Sequence, residues 1–163
     1  MASGARPRRH SFGSNLAALA LAASALALAG CGGGGGAEVG STVHVYVAAP
    51  LCAEAKRELS GGGADAGEVR LRAVCLQGPR QGGKLDLATQ GANARRATED
   101  STAVAFVETN GPGAKFTTTI VEGAGLAFVE SDSGTNAVEL VERALGEAGD
   151  SGSLRQEVAK ALG

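Results

Sequence analysis

Side chains able to do chemistry are few in this chain and fall into small groups. The thiols are Cys31, Cys52 and Cys75. Two polar runs, Thr109-Asn110-Gly111 and Ser131 with Ser133, each follow an apolar segment. They suit a shallow hydrogen-bonding site for a small polar solute, and they equally suit turns, which use the same residue types. Arg95 and Arg96 beside Glu99 and Asp100 offer an anion grip or, more simply, a solvated helix face with local ion pairs. His44 alternates within a strand and has no evident partner, so Ser and His are not arranged for nucleophilic catalysis. Gly82-Gly83-Lys84 lacks the spacing of a phosphate loop, and the acidic loops match no calcium-loop pattern. The expectation is a non-enzymatic protein with no metal site and no cofactor.

The elements that must position these residues read as one α/β series. Thr42 to Ala48 is a strand, broken by Ala49-Pro50, and Leu51 to Leu59 is a helix with Cys52, Ala55 and Leu59 on one face. Val69 to Leu76 is a second strand. A Gly-rich loop from Gln77 to Lys84 leads to a helix over about Leu85 to Glu99, weakened by Gly91. Ser101 to Val107 is the third strand, Glu108 to Gly113 a loop, and Ala114 to Ala124 a helix with Phe116, Ile120, Val121 and Ala124 on one face. Leu126 to Val129 is the fourth strand, and the loop from Glu130 to Thr135 opens a helix lined by Val138, Val141 and Leu145. Ser153 and Gln156 fit a capping box for a last short helix carrying Leu154, Val158 and Leu162. Strands alternating with helices imply a three-layer α/β domain, a single Rossmann-like lobe with a mostly parallel sheet of about four strands. Ligands of such sheets sit beyond the carboxyl ends of the strands, which is where both polar runs fall.

Composition narrows the partners. Among 163 residues, 44% are apolar but only 3% are aromatic, so the core is one of Val, Ala and Leu. Formal charge is −2; without Arg6, Arg8 and Arg9 of the first thirty residues, 12 basic face 17 acidic residues, a net of −5. An acidic body argues against nucleic acid, whose binding needs clustered Lys and Arg.

The amino terminus carries an address. After the basic leader, Leu16 to Ala29 is Leu and Ala with one Ser and no charge, shorter than the ~20 residues that span a bilayer. It ends in Leu28-Ala29-Gly30-Cys31, which resembles the lipobox of bacterial lipoproteins. That resemblance implies cleavage before Cys31, a diacylglyceryl group on its sulfur and acylation, such as palmitoylation, of the new amino terminus. The alternative is an ordinary signal peptide with Cys31 incidental. Gly32 to Gly36 reads as a random-coil tether. The chain thus divides into a signal peptide (1–30), a lipidated Cys and tether (31–41), an α/β domain (42–148) and a short carboxyl-terminal helix (149–163). The expected location is the extracytoplasmic face of the cell membrane, held by lipid.

Cys52 follows the first strand and Cys75 ends the second, and such strands are usually neighbours, which brings both to one end of the sheet. In an oxidising compartment they form a disulfide worth about 3 kcal/mol in the chain-entropy model; the alternative is two buried thiols acting as small apolar side chains.

The body, from Val43 to Gly134, resembles the amino-terminal lobe of type 1 periplasmic binding proteins, the substrate-binding lipoproteins of branched-chain amino acid ABC transporters. The residues that carry the likeness are Val45-Tyr46-Val47-Ala48-Ala49-Pro50-Leu51, Ala92 to Asp100, Ala103 to Val107 and Ala124-Gly125-Leu126. It implies solute binding or sensing, of an amino acid or small carboxylate, with an ABC permease or a second copy of the domain as partner. Two departures are visible: the likeness spans one of the family's two lobes, and Pro112, Glu130 and Asp132 stand where hydroxyls commonly hold the solute carboxylate. A protein-interaction or scaffold domain that keeps only the fold is therefore the competing expectation.

Overall fold

The structure is a computed structural model and describes residues 41–60, 65–66, 69–78, 86–148 and 153–163. The signal segment, Cys31 and the tether up to residue 40 lie outside the described residues, as do residues 79–85 and 149–152.

The elements are β1 (Thr42–Val47), α1 (Cys52–Ser60), β2 (Asp65–Ala66), β3 (Val69–Cys75), α2 (Leu87–Glu99), β4 (Ala103–Glu108), α3 (Pro112–Gly123), β5 (Ala127–Glu130), α4 (Gly134–Glu147) and α5 (Leu154–Leu162). The strand order is β2-β3-β1-β4-β5. The four long strands are parallel, and the two-residue β2 adds an antiparallel edge to β3. Tyr46 stands opposite Val74 on one side and Phe106 on the other, and Phe106 opposite Phe128. An α/β lobe around a mostly parallel sheet, four parallel strands with one short antiparallel edge strand, is thus the architecture of the described residues.

Burial explains which strand sits where. All six residues of β4 are buried, as expected for a parallel strand covered on both faces. In β3, near the edge, Val69, Leu71 and Ala73 are buried while Arg70 and Arg72 face solvent, so one face alone is covered there. Helices α1, α4 and α5 cover that face: Ala55, Leu59, Val138, Val141, Leu154 and Val158 pack with Val45, Val107 and Leu71. Helices α2 and α3 cover the other, where Ala94, Ala97 and Val121 pack with Tyr46, Phe106 and Leu126. Phe106 and Phe128 stack with centroids 6.1 Å apart.

Two glycines act through their missing Cβ. Gly125, at φ +74°, takes the left-handed conformation that ends α3. At Gly134 a Cβ would collide with the Leu51 carbonyl and lie 2.7 Å from the Ala55 nitrogen, so α4 begins against the backbone of α1.

Several expectations change. Helix α3 begins at Pro112, two residues early, because proline suits the first helical position as well as it suits a turn. Its buried stripe is Gly113, Ala114, Thr117 and Val121, whereas Phe116 and Ile120 are exposed by 40% and 36%. Gly91 leaves α2 unbroken and faces the Phe116 ring, whose nearest atom would lie 3.8 Å from an added Cβ. The capping box at Ser153 is not formed: its side chain makes no cap hydrogen bond, and the Gln156 N–H donates to the Ser153 carbonyl at 2.9 Å. The Cys52 and Cys75 sulfurs lie at bonding distance, with Cα atoms 5.6 Å apart, which is the usual span of a disulfide.

Candidate functional site

The connections fix where a crevice opens. After β1 the chain turns to α1 on one face, and after β4 to α3 on the other. β1 and β4 are neighbours, so their carboxyl ends diverge and leave a gap, the switch point at which open α/β sheets bind ligands. A cavity of about 370 Å³ lies there. Its base comes from the sheet: Ala48, Leu76 and Glu108 each follow by two residues a side chain (Tyr46, Val74, Phe106) that packs on the α2–α3 face, and strand alternation sends them the same way. Its walls are the first turns of α2 and α3 and the segment Thr109-Asn110-Gly111.

The α2 wall is held by its own bonds. Asp86 caps the helix, its carboxylate accepting from the Ala88 and Thr89 N–H groups at 3.1 and 3.2 Å and from the Thr89 hydroxyl at 2.7 Å. Asn93, buried, brackets the Gln77 peptide: its Nδ2 donates to the Gln77 carbonyl at 2.9 Å and its Oδ1 accepts from the Gln77 N–H at 3.2 Å. The Asn93 pair fastens α2 to the segment that follows β3, so the wall is built before any ligand arrives.

Glu108 is the unusual residue. It is 6% exposed, and its carboxylate accepts from the N–H of the adjacent Thr109 at 3.3 Å. Burial pushes its carboxyl above the ordinary range, and the Thr109 donors offset that only in part. Among the described lining residues there is no Lys, Arg or His.

The structure splits the expected site. Thr109, Asn110 and Gly111 line the cavity, while Ser131 and Ser133 are on the other side of the sheet's end. The Ser131 hydroxyl donates to the Ser133 carbonyl at 2.8 Å and accepts from the Ser133 N–H at 3.1 Å. The Ser133 hydroxyl accepts from Asn136 N–H as the cap of α4. Glu54 of α1 then fills the α4 amino terminus: its Oε2 accepts from the Gly134 N–H at 2.9 Å and from the Ser133 hydroxyl at 3.4 Å. A carboxylate of the chain itself stands where a ligand anion would bind. The reason is topological, since β4 is followed by a helix on one face and β5 by a helix on the other. Glu108, Asp86 and Asn93 were not among the expected site residues. Asn93 was the legible one, a polar residue one position before the buried Ala94 on a helix face otherwise made of small residues.

A second polar cluster occupies the opposite end of the sheet, and here His44 does have partners. Its Nδ1 lies 2.7 Å from Asp100 Oδ2 and 2.9 Å from the Thr102 hydroxyl. The Tyr46 hydroxyl donates to Asp100 Oδ2 at 2.9 Å, and the Thr102 N–H and hydroxyl donate to Oδ1 at 2.9 and 2.6 Å. Burial raises the Asp100 carboxyl, but these bonds outweigh it and hold the group well below the usual carboxylate range. Burial and the Asp100 bond raise the Tyr46 phenol. The Arg155 guanidinium donates to the Asp100 and Ala103 carbonyls, and Arg96 lies over the Tyr46 ring, 5.9 Å from its centroid. Asp100 is therefore a structural acid joining β1, β4 and α5, and not half of a helix-surface ion pair with Arg95 or Arg96. Among the described residues no three His, Cys, Asp or Glu side chains are grouped to hold a metal, and no helix is long and apolar enough to cross a membrane.

No protein family, curated protein or solved structure matches this chain.

Proposed function

We propose that this chain is a lipid-anchored, extracytoplasmic solute-binding or sensing protein, related to the substrate-binding lipoproteins of ABC transporters, with its site in the strand-end cavity. The observation that carries this is the cavity itself: about 370 Å³ at the β1–β4 switch point, with prefixed polar walls from Asn93, Asp86 and Thr109. That volume lies within the range that small ligands occupy. The lipobox resemblance at Cys31 supplies the anchor, and a Gly-rich tether would let the lobe meet a second copy or a permease that covers the ligand's open side. Thermal unfolding of the full chain in detergent, against a panel of amino acids, amines, small carboxylates and neutral polyols, tests it. A solute bound only by the native state adds about 2.7 kcal/mol of stability at a hundredfold excess over Kd. A panel without any shift defeats this reading.

The second reading is a protein-interaction domain, and one observation favours it. Phe116 and Ile120, one turn apart on α3, are exposed, and Leu87 on α2 is 51% exposed. Replacing both α3 residues with Ser would abolish capture of a partner on that reading and leave solute binding intact on the first.

A further inference from the structure

We infer that the solute of the strand-end cavity is a cation, an organic ammonium whose N–H donors are received by the Glu108 carboxylate. This rests on the reading of the cavity as a solute site and names the chemistry of what it takes. Glu108 is more than nine-tenths buried and lines the cavity. Among the described residues only Thr109, its neighbour in the chain, gives its carboxylate hydrogen bonds, and no basic side chain lines the space. An acid buried in this way costs stability unless a cation or several donors compensate it. Among the described residues neither is supplied.

The surroundings repeat the same sign. Asp86 lines the cavity with its carboxylate already accepting three hydrogen bonds from α2. Glu130 is the register partner of Glu108 on β5, so its exposed side chain leaves the sheet on the same side. An incoming carboxylate would meet two acids in the lining, Glu108 and Asp86. The amino terminus of α3, which has no side-chain cap, is one N–H donor short because its first residue is Pro112, and the donors that remain are neutral amides. The amino terminus of α4, outside the cavity, is taken by Glu54. An ammonium, with three donors and one positive charge, meets what the cavity lacks. The Thr109 and Asn110 polar groups and the Ala48 and Leu76 side chains then suit a short chain with a hydroxyl or amide, set between polar rim and apolar base.

The test compares solutes of one skeleton. The full chain in detergent is titrated calorimetrically, and followed by thermal unfolding, with 1,4-diaminobutane, 1,4-butanediol and succinate; choline and ethanolamine widen the cationic set. The expected result is that ammonium compounds bind and raise the unfolding midpoint while succinate does not. Glu108→Gln should remain folded, with a midpoint at or above that of the parent, and bind the same amine about thirtyfold more weakly, as loss of one partner of a buried charge pair implies. Binding of succinate or butanediol in preference to the amines overturns the cation assignment and leaves the solute site standing. Equal amine affinity in Glu108→Gln overturns the role of Glu108. Silence across every solute class defeats both this inference and the solute-binding function on which it rests.

Discussion

Glu108 and Asp100 are acids at the two ends of β4 that burial treats alike and hydrogen bonding treats differently. Asp100 gathers donors from Thr102, His44 and Tyr46, which outweigh its desolvation; Glu108 has Thr109 alone, and desolvation wins. Their contributions to stability against pH therefore have opposite signs. Asp100, lowered in the folded state, stabilises fully above the unfolded value of about 3.9 and loses this as pH falls through its folded value. Glu108, raised in the folded state, favours folding fully below the unfolded value of about 4.3 and loses this as pH rises through its folded value. Glu108→Gln should accordingly raise stability at neutral pH and flatten the decline above about pH 4. Urea unfolding at stepped pH measures both, and a less stable Gln variant at pH 7 would contradict the account. Asp100→Asn should cost about 2 kcal/mol at pH 7, since it weakens a set of charge-assisted bonds. Neither role was legible in the sequence. Glu108 fell one residue past the apparent end of a strand, and the partners of His44 lie more than fifty positions away.

Helices and strands were easier to find than the faces they occupy. The strand runs from Thr42, Val69 and Ala103 are apolar and β-branched enough to announce themselves, and the βα order implies a parallel sheet. What local pattern cannot give is the side of the sheet to which each helix crosses. That choice separated Ser131 and Ser133 from Thr109, Asn110 and Gly111, and it made the contact of α1 with α4 close enough to require Gly134. Gly134→Ala should cost about 3 kcal/mol, because backbone atoms of α1 must move away from the added methyl. Gly146→Ala, on the same helix but with nothing within 4 Å of an added Cβ, should instead be neutral or gain up to about 1 kcal/mol. Denaturant midpoints of the pair separate a packing requirement from helix propensity; equal effects would remove the close-approach argument.

At the scale of the molecule, small side chains fill both layers, and the cross-link from Cys52 to Cys75 closes a separation of 23 residues. Reduction should lower stability by about 3 kcal/mol in the chain-entropy model, read as a fall in the unfolding midpoint with reductant. Cys31→Ser should move the protein from the membrane fraction to the soluble one and abolish palmitate labelling; unchanged fractionation would remove the lipid anchor from the proposal. The two sides of the sheet are also fastened unequally. On one side α1 is tied to β3 through Cys52 and Cys75, α4 is held by Glu54, and α5 is held through Arg155. On the other side α3 is secured by packing alone: its Thr117 and Thr118 hydroxyls bond back to their own helix, and among the described residues no side-chain hydrogen bond joins it to another element. The lobe is thus a stiff plate with one compliant panel, and that panel forms a wall of the cavity. Amide hydrogen exchange should be fastest, among the helices, in α3, and should slow there first when the cavity is filled.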